Sequence, residues 1–155
     1  MARIKVYATT GEITLGTSGG WKTLLMYQEA AGNRSAIDRW GVYPMGSVNS
    51  DPHVRTRLIR AADAGTDGTA VTATVINGAS ESVRGTFKQG TFTVEPDVSG
   101  KVPLDLKPAH PQGGVEYTAV DPGQWEVPAS GVVCIQYWND SGAAVKVTAD
   151  IGLEQ

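Results

Sequence analysis

Period-two alternation of apolar and polar residues limits what this chain can fold into. Ile4, Val6 and Ala8 alternate with Lys5 and Tyr7, and Val71, Ala73 and Val75 with Thr72 and Thr74. In HVRTRLIR (53–60) Val54, Thr56 and Leu58 take one face while His53, Arg55 and Arg57 take the other. Leu24 and Met26 alternate with Leu25 and Tyr27, so this run is apolar on both faces, as a central strand is, and GVVCIQYW (131–138) and AVKVTADIGL (144–153) complete the series. Side chains that recur every second residue line one face of a strand, and β-branched and aromatic residues suit that pleated surface. Between the runs lie turn signals such as GTSGG (16–20), AAGNR (30–34), DAGTDGT (63–69), VSGK (98–101), DPG (121–123) and NDSG (139–142). Their spacing, roughly eight to twelve residues, is that of a sandwich or barrel.

Helix has two short candidates, TRLIRAADAG (56–65) and YQEAAG (27–32). The alternation through residue 60 favours strand for the first. Neither supplies the dozen or more residues that a parallel crossover needs. The reading is therefore all-β and antiparallel, a sandwich or barrel in a single domain over 1–155 with roughly eight to ten short strands. The 19 glycines and 8 prolines are scattered as such a fold requires. No repeat, linker or low-complexity tail marks a domain boundary.

Charge and cysteine usage exclude several classes. Net charge is −3, which argues against a general nucleic-acid binder. Residues 1–62 hold eight Lys/Arg and four Asp/Glu, whereas residues 63–155 hold five and twelve. Either the halves interleave and the asymmetry averages out, or a basic patch meets an acidic one on a neighbouring subunit. Cys134 is the sole cysteine, so one chain can form no disulfide. It sits mid-strand between Val133 and Ile135 and is expected to pack as a small hydrophobe. The N-terminal MARIKVYATT lacks the apolar core of a secretion signal, and no run approaches the roughly 18 apolar residues of a membrane span. A protein made and kept in a cytoplasm, or in an assembly built there, is expected, with no membrane partner.

The stretch most like chemistry is HPQGGVEY (110–117). Pro108 and Pro111 extend the residues before them, Gly113 and Gly114 permit a tight turn, and Val115, Tyr117 and Ala119 then alternate as a strand. A metal site would need His110 to converge with other ligands, but the only other histidine is His53 and no HxH or HExxH spacing occurs. An enzyme pairing His53 or His110 with Asp51 or Glu116 lacks a nucleophile elbow. The segment reads as a corner that launches a strand. No catalytic residue, metal ligand or cofactor is assigned.

What remains is surface for meeting other molecules. Arg55 and Arg57, with Arg60 nearby, form a basic feature that is either a solvated strand face or a set of intermolecular salt bridges. Among the tryptophans, Trp40 in IDRWGVYPMG looks like core. Trp21, after two glycines, and Trp125, before EVP, are expected to be exposed. They are candidates for interface anchors or for a sugar-binding platform. The expected interface set is Arg55, Arg57, Trp21, Trp125 and the corner carrying His110, Gly113 and Gly114.

Several stretches in order carry a resemblance: GEITLG (11–16), WKTLLM (21–26), AAGNR (30–34), DRWGVYPMG (38–46), HVRTRLIR (53–60) followed by DAGT, HPQGGVEY (110–117), VPASGVVCIQYW (127–138) and VKVTADIGLE (145–154). Together they resemble small all-β proteins from the structural-gene clusters of tailed bacteriophages, of the capsid decoration (cement) type, which implies a single antiparallel β-sandwich, jelly-roll-like. The resemblance spans nearly the whole chain, and its motifs are structural rather than catalytic. Residues 77–107 fit it least and are expected to be a variable loop region. The resemblance implies a non-enzymatic virion protein on the capsid exterior, partnered with the major capsid protein and forming a homo-oligomer, a trimer by preference. In such an arrangement the extended N-terminal arm would pair with a neighbour's sheet edge. A tail or head-fibre component and a carbohydrate-binding module are the alternative readings.

Overall fold

The computed structural model describes residues 3–17, 19–45, 54–77, 81–109, 113–121, 123–140 and 142–155. Among them are thirteen strands and no helix: β1 (Lys5–Thr9), β2 (Ile13–Leu15), β3 (Trp21–Gln28), β4 (Ser35–Pro44), β5 (Val54–Ala61), β6 (Thr66–Ala70), β7 (Thr74–Val75), β8 (Thr86–Val94), β9 (Pro103–Ala109), β10 (Val115–Thr118), β11 (Trp125–Val127), β12 (Val132–Trp138) and β13 (Val145–Glu154). They form two antiparallel sheets packed as a sandwich. The first runs β10-β4-β13-β1-β7, with β11 also on β4 and β2 also on β13; the second runs β6-β8-β3-β12-β5-β9. The pairs β5 with β9, β4 with β10, β3 with β12 and β1 with β13 are nested along the chain.

The all-β sandwich agrees with the sequence pattern; the strand count exceeds the expected eight to ten because short strands were not separable. AVTATVI was expected to be one strand. It divides instead, because β6 pairs with β8 in the second sheet whereas β7 pairs with β1 in the first. Residues 77–107 are also not a loop region, since they hold β8 and most of β9. The N-terminal strand is paired within its own sheet: β1 lies along β13 over Lys5–Thr9, and β7 takes its other side at Val6 and Tyr7.

The core forms where the two inner faces meet. Val133, Ile135 and Tyr137 of β12 face Val147, Ala149 and Ile151 of β13, all buried, each set at the spacing of two expected for a strand. Two bulges alter that count. On β4, Ile37 and Trp40 both point inward because the register on β13 slips at Asp38. On β3, Leu25 pairs with Ile135 but Thr23 with Gln136, so Leu24 is the extra residue. Leu24 and Leu25 then both bury, and Thr23 and Trp21 turn to the outer face.

Polar groups join the sheets inside. The Tyr27 hydroxyl donates to Glu29 Oε2 (2.8 Å) and accepts from Gln155 Nε2 (2.8 Å). Ser35 also donates to Glu29, and Arg84 N donates to Gln155 Oε1 (2.9 Å). Glu29 is buried, so its carboxylate depends on these donors. Tyr27→Phe is expected to lower unfolding free energy by about 1–3 kcal/mol, because it strips donors and acceptors from buried groups without removing the ring. Urea unfolding curves check this, and an unchanged midpoint would mean water replaces the hydroxyl.

Candidate docking face

The outer face of the second sheet is divided in two. Over one half, Met26, Ile59, Val132 and Cys134 are roofed by Ala64, Phe92 and Val98. The roof is tied down by Ala62 N to Asp97 O (2.7 Å) and Asp97 N to Asp63 Oδ1 (3.1 Å). Its turn needs glycine: Gly65 has φ +65°, and a Cβ there would lie 2.6 Å from Val94 O. Burial under this roof pushes the Cys134 thiol up from its ordinary pKa. Ellman's reagent is therefore expected to leave Cys134 unreacted in native protein and to titrate one thiol in denaturant. Rapid native labelling would show that the roof opens.

The other half lacks such an apolar roof among the described residues, and strand register sets out its residues in two rows. Across the sheet run Pro108, Arg55, Trp138 and Trp21, and beneath them Leu106, Arg57, Gln136 and Thr23. The Arg55 guanidinium lies 4.1 Å over Trp138, and that of Arg57 lies 4.1 Å over Trp21. The two indoles meet edge to face at 5.6 Å. Such stacks fix the guanidinium planes and the rings against one another.

The two arginines differ in their partners. Arg55 Nη2 donates to Asp140 Oδ2 at 2.9 Å. Arg57 donates through Nε (2.8 Å) and Nη2 (2.6 Å) to the side-chain oxygen of buried Gln136, whose Nε2 donates to Thr23 Oγ1 (3.0 Å). Arg57 makes no ion pair among the described residues, and loss of water around it lowers its pKa. Glu95 on this side accepts from Thr23 N at 3.0 Å. Leu106 is 56% exposed beside Arg57. A mosaic of Trp, Arg and Leu with few Lys or Glu has the composition of an interface centre.

Of the expected interface residues, Arg55, Arg57 and Trp21 come together here. Trp125 does not: it is 4% exposed, packed in the core on β11 beside Ile37, which corrects the expectation that it is exposed. A residue opening a short strand reads as a tip, but β11 lies on β4 and carries Trp125 inward. Gly113 and Gly114 lie apart, at the start of β10 in the other sheet. A Cβ on Gly114 would come within 2.6 Å of the Tyr43 ring. His110 falls outside the described residues, as do His53 and Asp51. Arg60 leaves the group, because Ile59 takes the next outer position and Arg60 Nη2 reaches Glu126 O (2.9 Å).

Trp138, Gln136 and Leu106 were not in the expected set. The signal for the first was its place two residues after Gln136, which marks the polar face of an otherwise apolar strand. Trp40 is fully buried, as expected, and donates through Nε1 to Asp105 Oδ2 across the sandwich (3.3 Å).

The outer face of the first sheet carries Glu116, weighed above as a partner for His110. There Tyr43 donates to Glu116 (2.7 Å), Tyr7 donates to Asp150 (2.7 Å), and Arg39 lies 4.6 Å over Tyr7. Burial and the adjoining carboxylates raise the pKa of both phenols. Among the described residues no group of three or more His, Cys, Asp or Glu is placed to hold a metal ion. No family model matches the chain, and neither a curated protein nor a solved structure does.

Proposed function

We propose that this protein is a non-enzymatic virion component that decorates a phage capsid and reinforces it by binding across capsomer boundaries. The observation that carries this reading is the Arg–Trp face, fixed by the sheet beneath it. The sequence resemblance supplies the setting. The nested strand pairs support the finer fold reading, a jelly roll, since they are what a long hairpin makes when rolled into two sheets.

Docking by side chains suits the sheet edges. The edge strand β9 carries Pro103 and Pro108, which donate no backbone hydrogen bond, and the opposite sheet ends in the two-residue β7. Strand addition by a partner is thereby disfavoured on both. Many copies of a modest face on a symmetric shell bind with an avidity that one copy lacks, and a trimer at three-fold positions multiplies it. A carbohydrate module is less well supported, because Trp125 lies in the core and Arg57 covers one face of Trp21.

The test is co-sedimentation of purified protein with empty shells of the phage's major capsid protein, read as copies bound per shell. Saturation at a multiple fixed by shell symmetry supports the reading. Absence of binding to shells, with binding to tails or fibres instead, would move the protein to another part of the particle.

A further inference from the structure

We infer that Arg57 is a receptor for an acidic side chain, an aspartate or glutamate presented by the partner protein between apolar residues. The inference rests on the docking role of this face and names the chemistry of its centre. A guanidinium carries five N–H donors in a rigid planar fork. One edge of Arg57, Nε and Nη2, is held by Gln136 Oε1. The end-on edge, made by Nη1 and the second Nη2 hydrogen, has no partner among the described residues. That edge matches the two oxygens of a carboxylate.

Three features prepare the group. Trp21 lies under its plane, buried Gln136 fixes its rotation, and Gln136 is itself held by Thr23. Gln136 is neutral, so it orients the cation without cancelling its charge, in contrast to Asp140 beside Arg55. An arriving carboxylate therefore meets a fixed, partly desolvated and uncompensated cation. Leu106 beside Arg57 and the Trp21 ring stacked on it favour a ligand with apolar flanks.

The probe is the peptide acetyl-Gly-Leu-Glu-Leu-Gly-amide, titrated into the full 16.3 kDa chain at low salt and followed by the nitrogen-15 resonances of Arg57 Nε and the Trp21 indole. The same peptide with glutamine in place of glutamate is the control. Saturable shifts at both resonances are expected, with affinity for the glutamate peptide roughly tenfold above the control. Arg57→Gln should bring the two peptides within about twofold, and Arg57→Lys should not restore the difference, since an ammonium lacks the fork. Retained core resonances in each variant verify folding.

Equal affinity for the two peptides, no shift at either resonance, or full function in Arg57→Lys overturns the inference. So does a concentration-dependent Trp21 resonance without peptide, which would make a second copy of the chain the occupant. Peptide binding without shell co-sedimentation keeps the carboxylate receptor and removes the capsid. Shell co-sedimentation without peptide binding does the reverse.

Discussion

Trp40→Ala is expected to lower unfolding free energy by about 3–5 kcal/mol, the cost typical of emptying a large aromatic site. Trp40 is fully buried at the middle of β4, with its ring 5.3 Å from that of Tyr117. Its Nε1 reaches Asp105 on β9, so one side chain links the penultimate strand of one sheet to the edge of the other. Removal leaves a void that the flanking strands cannot close, because both are held by their own ladders. For a chain of this length the loss corresponds to a fall in Tm of roughly 10 °C. Trp40→Phe separates the two contributions: it keeps an aromatic ring in the core and gives up only the indole donor. Asp105 then still has Lys107 at 3.3 Å, so a smaller loss of about 1–2 kcal/mol is expected. Urea unfolding of the two variants side by side checks this. Equal losses would place the weight on the hydrogen bond rather than on packing.

Arg57→Glu is expected to weaken shell binding by roughly a hundredfold, whereas Arg55→Glu weakens it by about three- to tenfold. The asymmetry follows from the partners already present. Arg55 has its charge answered by Asp140 and is exposed, so its loss removes a rim contact. Arg57 sits at the centre of the face, half-buried and with only a neutral amide for company, and reversing its sign repels whatever acid it meets. Arg55→Glu should alter stability by no more than about 1 kcal/mol, whereas Arg57→Glu leaves the buried Gln136 oxygen without its donor and should cost about 1–3 kcal/mol. Copies bound per shell across a salt titration, with a thermal melt of each variant, decide the matter. Equal effects at the two arginines would mean that net charge matters and the local arrangement does not.

Part of this site was legible in the residues and part was not. Arg55 and Arg57 share a face by simple alternation, and no bulge separates them on β12. Cys134 and Trp40 were expected to be buried because each has close apolar neighbours in sequence. Trp21 was placed outside for its glycines, yet the cause is different. Counting by two from the inward Leu25 would put Trp21 in the core, and only the extra residue at Leu24 reverses it. Trp125 fails for a related reason: a three-residue strand has too few positions to show a face, and its partner β4 decides the direction. The roof over Cys134 joins residues about thirty apart, 62–65 and 92–98, and no local pattern signals that meeting.

Alone, the sequence determined that the chain is all-β with a two-sided apolar pattern, because side-chain period is a local property of each strand. The division into two sheets, the bulge that turns Trp21 outward, the pairing with β4 that turns Trp125 inward, and the half of one face left open among the described residues were decided by tertiary structure. Those depend on register between distant strands, and a shift of one residue in register exchanges every side chain between core and surface.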